Sequence, residues 1–253
     1  MLMIRAHLAT FPIRSGILMQ TVQSILPQVD RLFICLNDYD HVPEELAQEP
    51  KIEAMIPDRD LKDAGKFAFV PEPDDLVFTI DDDILYPPDY VSKTLAMFKR
   101  LDPQHHVLGH LGHAWLAKTP GGPMGWQNWL FRKKMGNLRK VDLVGTGTAC
   151  QLGKNFPRLD QIESAAGFVD LRHARLHAEA GRWLWMLPHP AEWMVSTMTP
   201  DLKSTSLLYT VNKAAARPLR HEVFAVIGGR TPHSGKRFRE LRAQGLLPPQ
   251  SQD

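Results

Sequence analysis

The chain has 253 residues, 43% hydrophobic and 23% charged, a globular composition that excludes global disorder and leaves room for one large or two small domains. Lys+Arg exceeds Asp+Glu by 30 − 28, or +2, so no whole-molecule field draws the protein onto nucleic acid. Two cysteines, Cys35 and Cys150, exclude a disulfide scaffold, and no apolar run approaches the ~18 residues that span a bilayer.

The first hundred residues alternate strand and helix signals. Ile4, Ala6 and Leu8 alternate with Arg5 and His7, which predicts a strand ending near Thr10 and broken by Pro12. Ser15 is a candidate helix cap, and Leu18, Val22, Ile25 and Leu26 recur at helical spacing up to Pro27. Arg31–Leu36 reads as a buried strand, and Asn37-Asp38 ends it in turn chemistry. Lys51–Ile56 is a third strand, Lys62–Phe69 a short helix, and Leu76–Ile80 a fourth strand followed directly by Asp81-Asp82-Asp83. Pro87-Pro88 opens another helix, with Tyr90, Leu95 and Phe98 as packing residues. This rhythm predicts an α/β fold with a mainly parallel sheet flanked by helices, and ligands in such sheets sit beyond the carboxyl ends of the strands.

The second half is less regular. GGPMG at 121–125 reads as a loop carrying Trp126 and Trp129, and Val141–Val144 as a strand entering Gly145-Thr146-Gly147-Thr148. Phe168–Gly181 reads as a helix, Arg182–Leu187 as a last strand, and Ser204–Lys213 as a late helix. From Lys213 to Arg242 there are eight Lys/Arg against Glu222 and Glu240, and LLPPQSQD ends the chain as a disordered tail. The expected layout is one domain over 1–212, with donor and acceptor halves meeting near residue 100, followed by a basic extension over 213–253.

Asp81-Asp82-Asp83 carries the strongest chemical signal. Adjacent carboxylates repel, and a hard cation with oxygen ligands relieves that repulsion; a solvated acidic turn is the plain alternative. Arg14 follows the first strand at the ligand edge, where it can bond a phosphate or base carbonyl while Phe11 stacks on a flat ring. The alternative is a surface arginine beside a buried phenylalanine. Lys66, in Asp63-Ala64-Gly65-Lys66-Phe67, suits a diphosphate, or is a solvated helix lysine. The GTGT turn permits close backbone approach to a ligand, or is simply tight, and it matches neither phosphate-loop nor dinucleotide fingerprints. Asp170 caps a helix or acts as a base near an acceptor hydroxyl. His105, His106, His110 and His113 lack a metal-binding framework, whereas His189, between two prolines after a strand, is a candidate metal or phosphate ligand. Trp126 and Trp129 either pack at the rim or stack on a sugar. Five Lys/Arg without an acid over Phe131–Lys140 read as a solvated face.

Together, LATFPIR at 8–14, QVDRLFICLNDYDHVP at 28–43, DAGKF at 63–67, FTIDDDILYPPDYV at 78–91, GTGTAC at 145–150 and GFVDLRHA at 167–174 resemble the GT-A glycosyltransferases. The resemblance covers roughly residues 4–210 and looks most like bacterial enzymes of capsule and surface-polysaccharide synthesis. It implies that the triplet stands in for the DXD motif, with Asp81 and Asp83 holding Mn²⁺ or Mg²⁺ on a donor diphosphate and Asp81 and Asp82 lining the donor. It further implies that Thr10, Phe11 and Arg14 hold the nucleotide, that Lys66 approaches the donor, that Asp170 is the acceptor-side base, and that His189 is a late metal ligand. Val169-Asp170 replaces the usual Glu-Asp of inverting members. The expected function is metal-dependent transfer of a sugar from a nucleoside diphosphate, UDP on resemblance alone, to a glycan acceptor. Inversion and retention stay open.

A sugar-phosphate nucleotidyltransferase shares the α/β layout but usually carries a glycine-rich basic loop after the first strand, which ATFPIRSG at 9–16 lacks. A non-catalytic carbohydrate-binding module is the third reading. The expected partners are a nucleotide-sugar and a glycan, with no nucleic acid. The expected location is cytoplasmic, since the N-terminus lacks the order of a secretory signal. Residues 213–242 are a candidate for lying on anionic lipid at the inner face of the membrane, beside a polysaccharide-assembly complex, with a solvated helix as the alternative.

Overall fold

The computed structural model describes residues 2–117, 124–205 and 216–247. The four strands expected in the first hundred residues are present as β1 (Ile4–Thr10), β2 (Arg31–Leu36), β3 (Ile52–Met55) and β4 (Leu76–Ile80). They are followed by β5 (Ile84–Leu85), β6 (His106–Gly109), β7 (Gly112–Ala117), β8 (Met124–Trp129), β9 (Arg139–Val141), β10 (Leu143–Val144), β11 (Thr148–Leu152), β12 (Trp183–Met186) and β13 (Val195–Ser196). The helices are α1 (Ser15–Ile25), α2 (Glu44–Ala47), α3 (Tyr90–Ala96), α4 (Leu159–Ile162), α5 (Val169–Glu179), α6 (Ala216–Gly229) and α7 (Phe238–Ala243). None of the described helices is long and apolar enough to cross a membrane.

Eight strands form one sheet in the order β3-β2-β1-β4-β11-β6-β12-β9. β3, β2, β1 and β4 are parallel, β6 and β12 are parallel to each other, and β11 and β9 run against their neighbours. The expected mainly parallel sheet is therefore present, with one reversed strand inside it. That reversal matters for the site. Thr148, the first residue of β11, lies opposite Ile80, the last of β4. The turn before β11 thus shares an edge with the acidic triplet after β4.

Both faces of the sheet are covered, which is why its strands read as nearly continuous apolar runs. Ala6, Leu8, Leu32, Ile34, Phe78 and Ile80 face one way, into a core with Leu18, Val22 and Ile25 of α1 and Tyr90 of α3. The alternate residues face the other way: Phe33 and Cys35 pack with Leu61 and Phe69, and Val77 packs with Phe67, Phe156 and Val169. On that second face Arg5 and His7 are buried polar residues. Arg5 Nε donates to His7 Nε2 at 2.8 Å and its Nη1 reaches Asp75 at 3.2 Å. With Nε2 accepting, His7 keeps its proton on Nδ1, which lies 2.9 Å from the Lys66 carbonyl and donates to it.

Several local expectations are corrected. Ser15 is the first residue of α1 and not its cap, because the 3₁₀ turn Pro12–Arg14 runs straight into the helix and puts Arg14 at the cap position. The short helix expected over Lys62–Phe69 is present as a 3₁₀ helix over Lys62–Phe67. Val141–Val144 is two strands in two sheets. Asp142 splits them, its carboxylate buried and bonded by the amide of Trp115 and by Lys140 Nζ. Met124 and Gly125 belong to strand β8, so Trp126 and Trp129 sit on a β-hairpin with β7. Gly121, Gly122 and Pro123 of the expected loop, residues 206–213 of the expected late helix, and residues 248–253 of the expected tail lie outside the described residues. The basic segment contributes to the body of the fold: Val226 is fully buried against the second half of the sheet, and Phe238 and Leu241 join the main core. Glu222 of α6 pairs with Arg172 and Arg175 of α5.

Candidate active site

The carboxyl ends of β1 and β4, the reversed start of β11, the 62–67 turn and the start of α5 meet at one edge of the sheet. β4 is buried from Val77 to Ile80, so the chain leaves it on a fixed course. The turn beyond it is then pinned from both sides. Thr21 of α1, completely buried, donates its hydroxyl toward the carbonyls of Asp82 and Ile84, each at 3.0 Å. Tyr86 accepts from the Asp81 amide at 2.9 Å and donates to the Gly147 carbonyl at 2.6 Å. One phenol therefore ties the triplet to the GTGT turn.

The three aspartates have different surroundings. Asp82 is buried, accepts from Thr10 Oγ1 at 2.7 Å, and is in contact with Arg14 Nη1. Burial pushes its carboxyl above the ordinary range while Arg14 and Thr10 pull the other way. Asp81 and Asp83 keep solvent access, with side chains 36% and 20% exposed. Asp81 pairs with Lys66 Nζ, and Asp83 lies 3.4 Å from Arg14. Burial and then the neighbouring charges of Asp81 and Asp82 push Asp83 up to about 7. Two accessible carboxylates thus flank one locked between a hydroxyl and a guanidinium.

Arg14 and Thr10 were expected to hold the nucleotide. Instead both are spent on the triplet: Arg14 is buried with its charge shared between Asp82 and Asp83, and its guanidinium carbon is 5.0 Å from the Phe11 ring centre. Phe11 stays partly exposed at the same edge. Lys66 is not a solvated helix lysine. It is buried, and although burial disfavours its charge, Asp81, Asp170 and Asp63 outweigh that and hold its pKa above the ordinary lysine value.

The alternative of Asp170 as a helix cap is also corrected. Its Oδ1 accepts from the Thr146 amide at 2.8 Å and from the Thr146 hydroxyl at 2.6 Å, which turns it toward the GTGT turn. Asp63 supplies what the start of α5 needs, accepting from the amides of Gly167 and Val169. Burial pushes Asp63 up to about 6 against those two bonds. Gly147 has a reason of its own: a Cβ there would lie 2.0 Å from Asp81 Oδ2. Its missing side chain makes room for the aspartate.

Hard oxygen donors suit Mg²⁺ or Mn²⁺, and Asp81 and Asp83 present them at an accessible edge beside a lysine, so the chemistry of these two residues fits a divalent cation. His189 does not complete the set. Its ring packs against Trp193 and lies 5.4 Å from that of His110, and its Nδ1 faces the Pro190 carbonyl at 3.0 Å. Among the described residues no three His, Cys, Asp or Glu gather to hold a metal. Nothing in the sequence marks Tyr86 or Thr21 as part of the site, and the GTGT pattern that marks Thr146 gives no sign of its bond to Asp170.

No protein-family model matches the sequence, and no curated protein matches it. Among solved structures, the crystal structure of 4-diphosphocytidyl-2C-methyl-D-erythritol synthase is similar with a TM-score of 0.44, at 10% identity, over 82% of this chain and 99% of its own.

Proposed function

We propose that the chain is a metal-dependent transferase that moves a sugar from a nucleoside diphosphate, UDP by resemblance, to a glycan acceptor. The observation that carries the reading is the unequal triplet: Asp81 and Asp83 open, Asp82 locked by Thr10 and Arg14, at the carboxyl end of β4. Asp81 and Asp83 would hold a divalent cation, which would supply Lewis-acid neutralisation of the charge that grows on a leaving diphosphate. Lys66 Nζ, held by its buried turn, adds a fixed positive charge at the same edge. Asp170, positioned by Thr146, accepts the proton of an acceptor hydroxyl if the reaction inverts. Phe11, partly exposed, offers a face to the nucleotide base. The glycan acceptor and the assembly at an anionic membrane surface, with the basic segment 213–242 against it, belong to the same proposal.

Lys66 also supports a second reading, a sugar-phosphate nucleotidyltransferase, because a buried ammonium beside metal-binding carboxylates suits charge on an attacked phosphorus equally well. Against it, the loop after β1 is a short 3₁₀ turn whose only guanidinium is bound to Asp82 and Asp83, leaving no basic loop for a triphosphate. Product analysis separates the two. With Mn²⁺ and a panel of UDP-sugars, glycosyl transfer or its water-limited form releases UDP. With UTP and sugar phosphates, nucleotidyl transfer releases pyrophosphate. Pyrophosphate without UDP release replaces the first reading by the second.

A further inference from the structure

We infer that Trp126, on the hairpin of β7 and β8, is the stacking platform for a pyranose ring of the acceptor. The inference rests on the glycosyl-transfer reading above and adds the residues that seat its second substrate. Five of the six tryptophans are buried or engaged. Trp115, Trp183 and Trp185 are buried, Trp193 donates to Asp89 at 3.0 Å, and Trp129 packs against the core with the Arg139 guanidinium 5.1 Å from its ring centre. Trp126 is 52% exposed. Of the two tryptophans that the sequence offers for a sugar, this one keeps about half of its surface open to solvent.

The register defines what stands beside it. Trp126 is opposite Trp115, and Asn128 is opposite His113, so the four side chains share one face of the hairpin. Buried Trp115 meets Trp126 edge-on, with centroids 5.3 Å apart and planes at 86°, and holds the exposed ring in place. The His113 ring is 4.7 Å from that of Trp126. His113 Nδ1 and Asn128 Oδ1 are 2.7 Å apart and bond to each other. That leaves the Asn128 amide hydrogens and His113 Nε2 turned to no hydrogen-bond partner among the described residues.

A sugar ring has an apolar C–H face rimmed by hydroxyls. It fits an aromatic face bordered by an amide donor and an imidazole better than a purely apolar partner does, because its hydroxyls would otherwise lose hydrogen bonds on binding. The location ties the platform to the acceptor and not the donor. His113 pairs with Leu143 and Gly112 with Val144, and the Gly145 amide donates to the Leu111 carbonyl at 2.9 Å. The next residue, Thr146, bonds Asp170. His113 is close enough to feel the charge of Asp170, which opposes the effect of burial on its ring. A continuous backbone path thus runs from the platform to the carboxylate proposed to receive the acceptor's proton.

The test uses the intact chain labelled with 5-fluorotryptophan, with the Trp126 resonance assigned from Trp126→Phe. The probes are the methyl glycosides of glucose, galactose, mannose and N-acetylglucosamine. At least one should shift the Trp126 resonance saturably and leave those of Trp183 and Trp185 in place. Trp126→Ala, followed through the remaining resonances and by calorimetry, should weaken that binding by roughly tenfold or more, the scale of one lost stacking contact, while Trp126→Tyr retains most of it. No shift with any probe, or unchanged binding in Trp126→Ala, overturns the platform. Mn²⁺-dependent UDP binding is measured on the same samples. UDP binding with no glycoside response discards the platform and keeps the donor reading; glycoside binding with no UDP binding keeps the platform as a sugar site and discards the transferase.

Discussion

Asp82 and Asp83 are neighbours in the chain with opposite surroundings, and their variants should behave oppositely. Asp82→Ala leaves the Arg14 guanidinium buried without its main partner and should cost about 3–5 kcal/mol of stability by urea denaturation. Asp83→Asn removes a partly exposed carboxylate that repels its neighbours, and its stability should stay within about 0.5 kcal/mol of the parent. Equal losses in the two would mean that Asp83 is a folding residue and not an open ligand. Tyr86→Phe strands the Asp81 amide and the Gly147 carbonyl and should cost about 1–3 kcal/mol, read by the same denaturation.

Two glycines show how the turns around β11 serve different ends. At Gly147 an added Cβ would meet the Asp81 carboxylate, which can swing away; at Gly153 it would lie 1.9 Å from the Glu72 backbone oxygen, which cannot. Gly153→Ala should therefore lower stability by about 1–3 kcal/mol, whereas Gly147→Ala, which turns Asp81 away from buried Lys66, should cost stability as well and in addition weaken Mn²⁺-dependent UDP binding. If both variants lose only stability, Gly147 has no part in placing Asp81. At this scale the sequence was readable where a single element decides. The apolar runs of β1, β2 and β4, and the carboxylates directly after β4, follow from local pattern alone. What local pattern could not show are partnerships across the fold. Arg14 and Asp82 are 68 residues apart, and Asp63 serves the start of α5 across 104 residues. Nor does spacing reveal that Asp142 would break one apolar run into strands of two sheets.

For the molecule as a whole, the buried histidines dominate the response to acid. Burial holds His7 and His173 down to about 3 and His106 to about 4, and it holds His110 and His177 well below the ordinary value. Unfolding returns each to the usual range near 6.5, so below that pH the unfolded chain binds more protons and stability falls with falling pH. Each fully shifted histidine contributes at most about 1.4 kcal/mol per pH unit in that window. Asp63, Asp82 and Asp83, raised in the folded state, act in the opposite sense but are outnumbered by the five histidines. Urea midpoints should therefore drop steadily from pH 7 to pH 5. A flat or rising profile would show that these histidines are charged in the native protein.

The account turns on a cation that Asp81 and Asp83 hold at the end of β4. Isothermal titration of UDP into the intact protein, with and without Mn²⁺, for the parent and Asp83→Asn, measures this directly. Binding that requires Mn²⁺ in the parent and weakens by about tenfold or more in Asp83→Asn is the predicted result. Equal binding in chelator, or in the variant, would contradict it.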